Sequence, residues 1–406
     1  MTNSQSAQNS QAAPIPQALA SIAYPAVDIL DVAASLNSAE RAQLQQIHEF
    51  LQTEVRPNVA EHWDREEFPF DLLQELAKQG LGEIELSETS RLFRGLVYAE
   101  LTRADVSLSA LVGIHNELIV GVINQLGSDQ QKDRWLGRLR QFQAIGCFAL
   151  TEPEHGSDIA GGLSTTATRT EQGWVINGAK RWIGAGTFAD FAIVFARDVA
   201  DQQIKGFLVE LDREGVSTEK ISGKLGLRIM QNADMLFDDV VIPEENLIPG
   251  AASFANTNEF LCSSRAWVGW QGAGIQLAIF DATRQYAVTR EQFGRPLAKF
   301  QLVQEQLSRI LGNASASLAM MAQVASVQEA GRLEMPHAAL AKATTTRLAR
   351  ESAAAGRDLG GGNGILTEHE LAKLFADAEI LFTYEGTYNI NSLIVGRAVT
   401  GVSAFV

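Results

Sequence analysis

Trp174-Val175-Ile176-Asn177-Gly178-Ala179-Lys180-Arg181-Trp182-Ile183 is the stretch whose reading decides the fold. Two strand-like runs, Trp174-Val175-Ile176 and Arg181-Trp182-Ile183, flank an Asn-Gly pair. Asn and Gly tolerate the positive φ of a tight turn, so the pair predicts a β-hairpin. Further strand-like runs follow at Phe191-Ala192-Ile193-Val194-Phe195, Gly206-Phe207-Leu208-Val209 and Met235-Leu236-Phe237, and residues 144–253 read as a β domain. On the N-terminal side the period is helical: Leu44, Ile47, Leu51 and Val55 recur at three to four residues, Leu72, Leu73, Leu76 and Leu81 follow, and Ser128 with Gln131 has the form of a capping box. After Phe254 the helical period returns, broken mainly at Pro336 and at Gly360-Gly361-Gly362-Asn363-Gly364. Helices, then strands, then helices predict an α+β multidomain protein, with an all-β domain held between helical domains at 36–143 and 254–406. Residues 1–35 read as a disordered or extended tail, because Met1 to Ala20 is rich in Ser, Gln, Ala and Asn.

Composition narrows the function classes. With 406 residues, 46% hydrophobic and 20% charged, the chain can bury a large core. Thirty-three Lys plus Arg against 48 Asp plus Glu give a net charge of -15, which argues against nonspecific binding to nucleic acid or an anionic membrane. Any anionic ligand must therefore meet local basic residues. Cys147 and Cys262 are the only cysteines and form no Cys-x-x-Cys or Cys/His cluster, so neither a disulfide framework nor a metal site is expected. The apolar run Val106 to Leu126 is interrupted by His115, Asn116, Glu117 and Asn124 and reads as a buried core helix, with His115 a hydrogen-bonded core residue. The N-terminal stretch lacks the features of a signal peptide or a mitochondrial presequence, and Ala404-Phe405-Val406 is no peroxisomal address, so a cytoplasmic location is expected.

The sharpest chemical signal is Tyr384-Glu385-Gly386-Thr387, where one carboxylate follows the apolar segment Ile380-Leu381-Phe382-Thr383-Tyr384. Burial disfavours an ionised carboxylate and makes it a proton acceptor near neutrality, so Glu385 is the candidate catalytic base; a satisfied helix-end carboxylate is the competing reading. The loop Phe148-Ala149-Leu150-Thr151-Glu152-Pro153-Glu154-His155-Gly156-Ser157-Asp158 offers N–H groups and hydroxyls to a planar cofactor or its phosphates, and it also fits an ordinary turn. The glycine run at 360–364 permits close backbone approach to a ligand or simply ends a helix, and its spacing is not that of a dinucleotide fingerprint. Arg290 and Arg265 are candidates for pairing with anionic ligand groups, against a solvated and an ion-paired role respectively. No Gly-x-Ser-x-Gly elbow is present.

Taken in order, Leu150-Thr151-Glu152-Pro153 with Gly156-Ser157-Asp158, Asn177-Gly178-x-Lys180-x-Trp182-Ile183, Lys224-x-Gly226-x-Arg228, Val241-x-Pro243 through Leu247, Arg290-x-Gln292-Phe293-Gly294, Gly361-Gly362-x-Gly364 and Tyr384-Glu385-Gly386-Thr387 resemble the acyl-CoA dehydrogenase family, across nearly the whole chain after Leu36. Arg181-Trp182-Ile183-Gly184 and Tyr388-Asn389-Ile390-Asn391 are most similar to the glutaryl-CoA dehydrogenase branch and the plant short-chain acyl-CoA oxidase beside it. The resemblance implies an N-terminal helical domain, a middle β-barrel or sandwich domain and a C-terminal four-helix bundle, in a homotetramer with one FAD per subunit. It implies that Glu385 removes the α-proton of an acyl-CoA while the β-hydride goes to flavin N5, with the thioester oxygen polarised by the N–H of Glu385 and a ribityl hydroxyl. Phe148, Leu150, Thr151, Gly156, Ser157, Trp182 and Ile183 match flavin-lining positions. Arg290, Gln292, Phe293, Gly360 and Gly361 match positions reaching the adenosine and pyrophosphate half, and Thr387 and Asn389 match cofactor contacts after the base. Ser109, Ser157, Arg265, Tyr384 and Gly386 match the substrate side.

Three departures refine the expectation. Ser109 stands where glutaryl-CoA dehydrogenases carry an arginine for the distal carboxylate, so an uncharged short or branched acyl chain is favoured. Gly184 stands where many members carry Ser or Thr, and Gly82 to Ser90 lacks the Gly-rich stretch many have there. The expected activity is FAD-dependent α,β-dehydrogenation with electrons passed to an electron-transferring flavoprotein. The alternatives are an oxidase returning electrons to O2, a glutaryl-CoA dehydrogenase, a flavin monooxygenase of the same fold, and a non-enzymatic CoA-binding scaffold.

Overall fold

The computed structural model describes residues 27–404. Its N-terminal part is helical: α1 (Ser38–Phe50), α2 (Val59–Arg65), α3 (Leu72–Lys78), α4 (Arg91–Ala104), α5 (Val106–Leu126) and α6 (Asp129–Arg140). α1 opens on a reciprocal Asn37/Glu40 capping box, and α6 opens on the expected Ser128/Gln131 box. α5 contains a π-helical stretch at Ile114–Val120 and is 94% buried over its most apolar window, the core helix that its interrupted pattern predicts. Residues 27–35, read from sequence as tail, fold against the helices instead. Asp28 accepts the Ala33 N–H at 3.0 Å, and Val27 and Ala33 are buried. Residues 1–26 of that segment lie outside the described residues.

The middle part holds β1 (Gly146–Ala149), the short helix α7 (Ile159–Gly162), β2 (Thr166–Thr170), β3 (Gly173–Ile183), β4 (Phe191–Asp198), β5 (Ile204–Glu210), β6 (Val216–Lys220) and β7 (Ala233–Ile242). They form one seven-stranded curled sheet in the order β1-β4-β2-β3-β7-β6, with β5 added to β4. β1 and β2 run parallel to β4, and the remaining pairings are antiparallel. The Asn177-Gly178 hairpin is not formed. The turn falls earlier, between Thr170 and Gly173, which are paired as the last residues of β2 and the first of β3. Asn177-Gly178 sits within β3 at a register shift against β7, with Gly178 at φ 149. A Cβ there would stand 2.5 Å from Thr165 Oγ1, and the Asn177 amide bonds Asp239 on β7 instead of closing a turn. The positive φ that this dipeptide permits is therefore used by a bulge, not by a reversal of the chain.

The C-terminal part comprises α8 (Phe254–Thr289), the small hairpin β8 (Glu291–Gln292) and β9 (Arg295–Pro296), α9 (Gln301–Glu329), α10 (Met335–Leu359), α11 (Glu370–Thr383) and α12 (Tyr388–Thr400). α8 packs on α10, α9 and α4, so the helical core is continuous between the N- and C-terminal parts. A second apolar cluster joins α5 and α6 to one face of the sheet, and a third lies within the sheet. All three parts meet at Asp377 of α11. Its Oδ1 accepts Trp63 Nε1 at 3.1 Å and the Leu227 N–H at 2.7 Å, while Oδ2 accepts Lys373 Nζ, itself 2.7 Å from Asp105. This fully buried junction fixes the helix that ends at the candidate base.

Candidate active site

α11 ends at Thr383 and α12 begins at Tyr388, and Glu385 occupies the break between them. Glu385 and Gly386 both have positive φ, 54° and 79°, which swings the carboxylate out of the helical path. The break is held on every side. Thr387 Oγ1 caps α12 by accepting the Ile390 N–H at 3.2 Å. The Gly386 carbonyl accepts Lys342 Nζ at 2.8 Å and Asn391 Nδ2 at 2.7 Å. The Ser264 hydroxyl of α8 donates to Glu385 Oε2 at 2.7 Å. The N–H of Glu385 donates to no acceptor among the described residues. Glu385 is half-buried, less enclosed than its apolar flank suggested, because that flank is the end of α11 and its side chains pack into the bundle.

Arg265 lies against this turn: a Cβ at Gly386 would stand 3.5 Å from its Nε and Nη2. Its Nη1 donates to Leu261 O at 2.8 Å, while Nε is buried with no partner. Burial lowers its pKa, against the opposing pull of Glu385. Tyr384 donates its hydroxyl to Gln271 Oε1, Gln271 Nε2 donates to Ser109 Oγ at 3.0 Å, and Ser109 shares a 2.7 Å bond with Thr102. Ser109 is fully buried, and it reaches Glu385 only through this chain.

The flavin-side positions form a second group on the sheet. Lys180, buried in β3, donates to Leu150 O at 3.0 Å and to Glu152 Oε1 at 2.9 Å. Glu152 in turn accepts the Ser164 N–H and hydroxyl and the Thr165 N–H at 2.6–2.9 Å, which cinches the loop between β1 and β2. These contacts hold Glu152 down to about 2 despite burial, and burial pulls Lys180 down to about 8 although Glu152 opposes it. Thr151 O accepts the Arg181 N–H at 2.8 Å. Trp182 has φ 66° and is 52% exposed, with the Arg181 guanidinium 5.1 Å from its ring. Phe148 packs on Phe195, Ile183 is buried, and Gly156 and Ser157 are exposed on the loop. At Gly184 a Cβ would stand 2.9 Å from Ile114 Cδ1, so the space a Ser or Thr would need is filled.

A third group, Arg290, Gln292 and Phe293, projects from the β8–β9 hairpin, where Phe293 is 92% exposed and Arg290 forms no ion pair among the described residues. Gly360 caps α10, and a Cβ at Gly361 or Gly362 would meet nothing within 4 Å. Asn389 is exposed on the first turn of α12. His115 is a core residue bonded to Leu139 O at 3.0 Å, and burial lowers its pKa to about 4. A cleft of about 510 Å³ between α6 and the sheet contains none of these residues, and its Arg134 and Arg138 are paired with Glu210 and Asp190.

Sequence reasoning missed Ser264, Gln271 and Lys342, and quoted Lys180 and Glu152 without a role. Lys342 had a readable signal, a lone charge inside Ala338-Ala339-Leu340-Ala341-Lys342-Ala343. Ser264 had none, since one serine on a helix says nothing about what faces it.

The fold places a carboxylate with an unpartnered N–H beside it at a helix break, and an exposed aromatic on a curled sheet between two helical parts. Residues 37–143, 147–240 and 254–400 match, in turn, the N-terminal, middle and C-terminal domains of acyl-CoA dehydrogenase. The short-chain specific acyl-CoA dehydrogenase of Mus musculus is 32% identical over 363 residues, covering 86% of this chain and 87% of that protein. A glutaryl-CoA dehydrogenase from Mycobacterium smegmatis in complex with FADH2 superposes with a TM-score of 0.89 at 31% identity, over 93% of this chain and 98% of that one. The butyryl-CoA dehydrogenase of Megasphaera elsdenii superposes with a TM-score of 0.85 at 27% identity, over 90% and 99%. The chain belongs to the acyl-CoA dehydrogenase family, and it is an oxidoreductase.

The family uses FAD, and the residues here fit that group. Trp182 offers a flat face, Thr151 and Ser157 offer hydroxyls, Arg290 offers a guanidinium with no carboxylate of its own, and the glycine turn leaves open space for close approach.

Proposed function

We propose that this enzyme removes the α-proton and the β-hydride of a short or branched acyl-CoA, forming the trans-2-enoyl-CoA, and passes the electrons to an electron-transferring flavoprotein. The observation that carries this reading is the pairing at one residue of a carboxylate and an unpartnered backbone N–H, both of Glu385. The N–H is available to the thioester oxygen, and polarising that oxygen acidifies the α-C–H. The Ser264 hydroxyl occupies Oε2 and leaves Oε1 to receive the proton. FAD, when bound, supplies the hydride acceptor. Thr151, Ser157, Trp182 and Ile183 would hold its flavin end, with Arg290, Gln292, Phe293 and the Gly360-Gly361 turn toward its pyrophosphate end, the latter across a contact between copies of the chain. The exposed Phe293 supports that contact and a homotetrameric assembly.

A short acyl chain is supported by Ser109, whose hydroxyl is fully occupied by Thr102 and Gln271 and which brings no cation. The likeness to short-chain and butyryl-CoA dehydrogenases agrees with it. The test is incubation with butyryl-CoA and an artificial one-electron acceptor, followed by mass analysis of the thioester. Loss of two hydrogens in the acyl part supports the reading, and an unchanged thioester refutes it. Fast production of peroxide in air without the acceptor would assign an oxidase instead.

A further inference from the structure

Three lysines are buried among the described residues, and they are held differently. Lys180 lies 2.9 Å from Glu152, and Lys373 lies 2.7 Å from Asp105 and 3.0 Å from Asp377. Lys342, 0% exposed on α10, has no carboxylate oxygen within the 4.0 Å of an ion pair among the described residues. Its ammonium donates instead to two main-chain carbonyls, Gly386 O at 2.8 Å and Phe382 O at 3.2 Å. A buried ammonium without a counter-ion is unfavourable, so its retention calls for a use. Phe382 belongs to the last turn of α11, Gly386 follows Glu385 directly, and one side chain therefore ties both ends of the break in which Glu385 sits. The charges that face it are Glu385 on the turn and Arg265 on α8.

We propose that Lys342 is a positioning residue for proton removal: by clamping the carbonyls on both sides of Glu385 it fixes the carboxylate and the Glu385 N–H relative to one thioester. This rests on the reading of Glu385 as the base. Asn391, the second donor to Gly386 O, holds only the far end of the turn, so without Lys342 the α11 end is released. Burial lowers the Lys342 amine to about 7 while Glu385 opposes the fall, and the clamp does not depend on the charge, because the neutral amine still carries two N–H groups for the two carbonyls.

The test compares wild type, Lys342→Met and Glu385→Gln as flavin-loaded full chains, each given butyryl-CoA anaerobically with protium or deuterium at the α-carbon. Flavin content, melting temperature and binding of crotonyl-CoA are measured alongside. Lys342→Met is expected to keep flavin and crotonyl-CoA binding within about twofold while flavin bleaching slows about ten- to a hundredfold and the α-deuterium isotope effect grows, because proton removal becomes more fully rate-limiting. Equal rate per bound flavin in the variant overturns the proposal. So does a slower rate with an unchanged isotope effect and proportionate loss of flavin, the signature of a purely structural role. If Lys342→Met does not fold, Lys342→Arg keeps the charge but displaces the donors; the same slowing and raised isotope effect support the proposal, and wild-type behaviour overturns it. Equal bleaching in wild type and Glu385→Gln refutes the base assignment itself, wild type that fails to bleach refutes the dehydrogenation reading, and bleaching in wild type with no change in the lysine variants refutes this inference alone.

Discussion

Ser264 Oγ and Glu385 Oε2 are 2.7 Å apart, although 121 residues separate them in sequence, and this bond joins α8 to the turn between α11 and α12. In the proposed role of Glu385 as the base, the bond orients one carboxylate oxygen and leaves the other to receive the proton. A hydrogen bond to a charged group contributes about 1.5–3 kcal/mol, so Ser264→Ala should slow flavin bleaching by butyryl-CoA about ten- to a hundredfold, with flavin content unchanged. Stopped-flow reduction measures it, and a wild-type rate would show that the hydroxyl does not orient the base.

The Lys180–Glu152 pair should hold the flavin-side loop. Removing one partner of a buried pair costs about 3–5 kcal/mol, so Lys180→Met should lower the melting temperature and release flavin on gel filtration. Glu152 has its folded pKa depressed from 4.5 to about 2, so its stabilising contribution is complete above pH 4.5 and is lost as pH falls toward 2. Acid melting curves of Glu152→Gln should be flatter than those of wild type across that window.

Glu117, on the π-helical stretch of α5, has the opposite sign. Burial first, and the Glu85 carboxylate second, raise it from 4.5 to about 8, with Ser263 Oγ donating at 2.7 Å. The folded state favours its protonated form, so stability is greatest below pH 4.5 and declines as pH rises toward 8. Glu117→Gln should remove that decline and stabilise the protein by about 2–4 kcal/mol at alkaline pH, read by chemical denaturation at pH 5 and pH 9. Equal slopes in both proteins would contradict the assignment.

Ser109 bears on substrate choice. Its burial in the Tyr384–Gln271–Ser109–Thr102 chain leaves no cation for a distal carboxylate, and an unpaired buried charge is penalised by several kcal/mol. Butyryl-CoA should therefore bleach the flavin at least about a hundredfold faster than glutaryl-CoA at equal concentration. Comparable rates would show that another group receives the carboxylate.

What the sequence revealed and what it hid follow from the range of the forces involved. Helical periodicity and the Ser128/Gln131 box depend on neighbours within one or two turns, so α1 to α6 and the return of helix after Phe254 were legible. Asn177-Gly178 was misread because a local dipeptide permits positive φ without saying whether the chain reverses; the approach of Thr165 and the pairing with Asp239 decide that, and both are distant in sequence. The packing of Val27 and Ala33 likewise depends on contacts that a tail-like composition does not display. Glu385 stands out in the sequence by its charge after an apolar run, and the structure places it at a break between two helices. Ser264, which bonds its carboxylate, and Lys342, which bonds the carbonyls of Phe382 and Gly386 on either side of it, lie 121 and 43 residues upstream on two other helices, and only the fold brings them there.

The most direct test of the account is anaerobic titration of the flavin-loaded enzyme with butyryl-CoA, wild type beside Glu385→Gln, followed by loss of flavin absorbance. A positioned general base contributes about a hundred- to ten-thousandfold, so wild type should bleach promptly and Glu385→Gln should lag by at least that lower bound while still binding crotonyl-CoA. Equal bleaching in both proteins would contradict Glu385 as the base, and oxidised flavin in both would contradict acyl-CoA dehydrogenation by this chain.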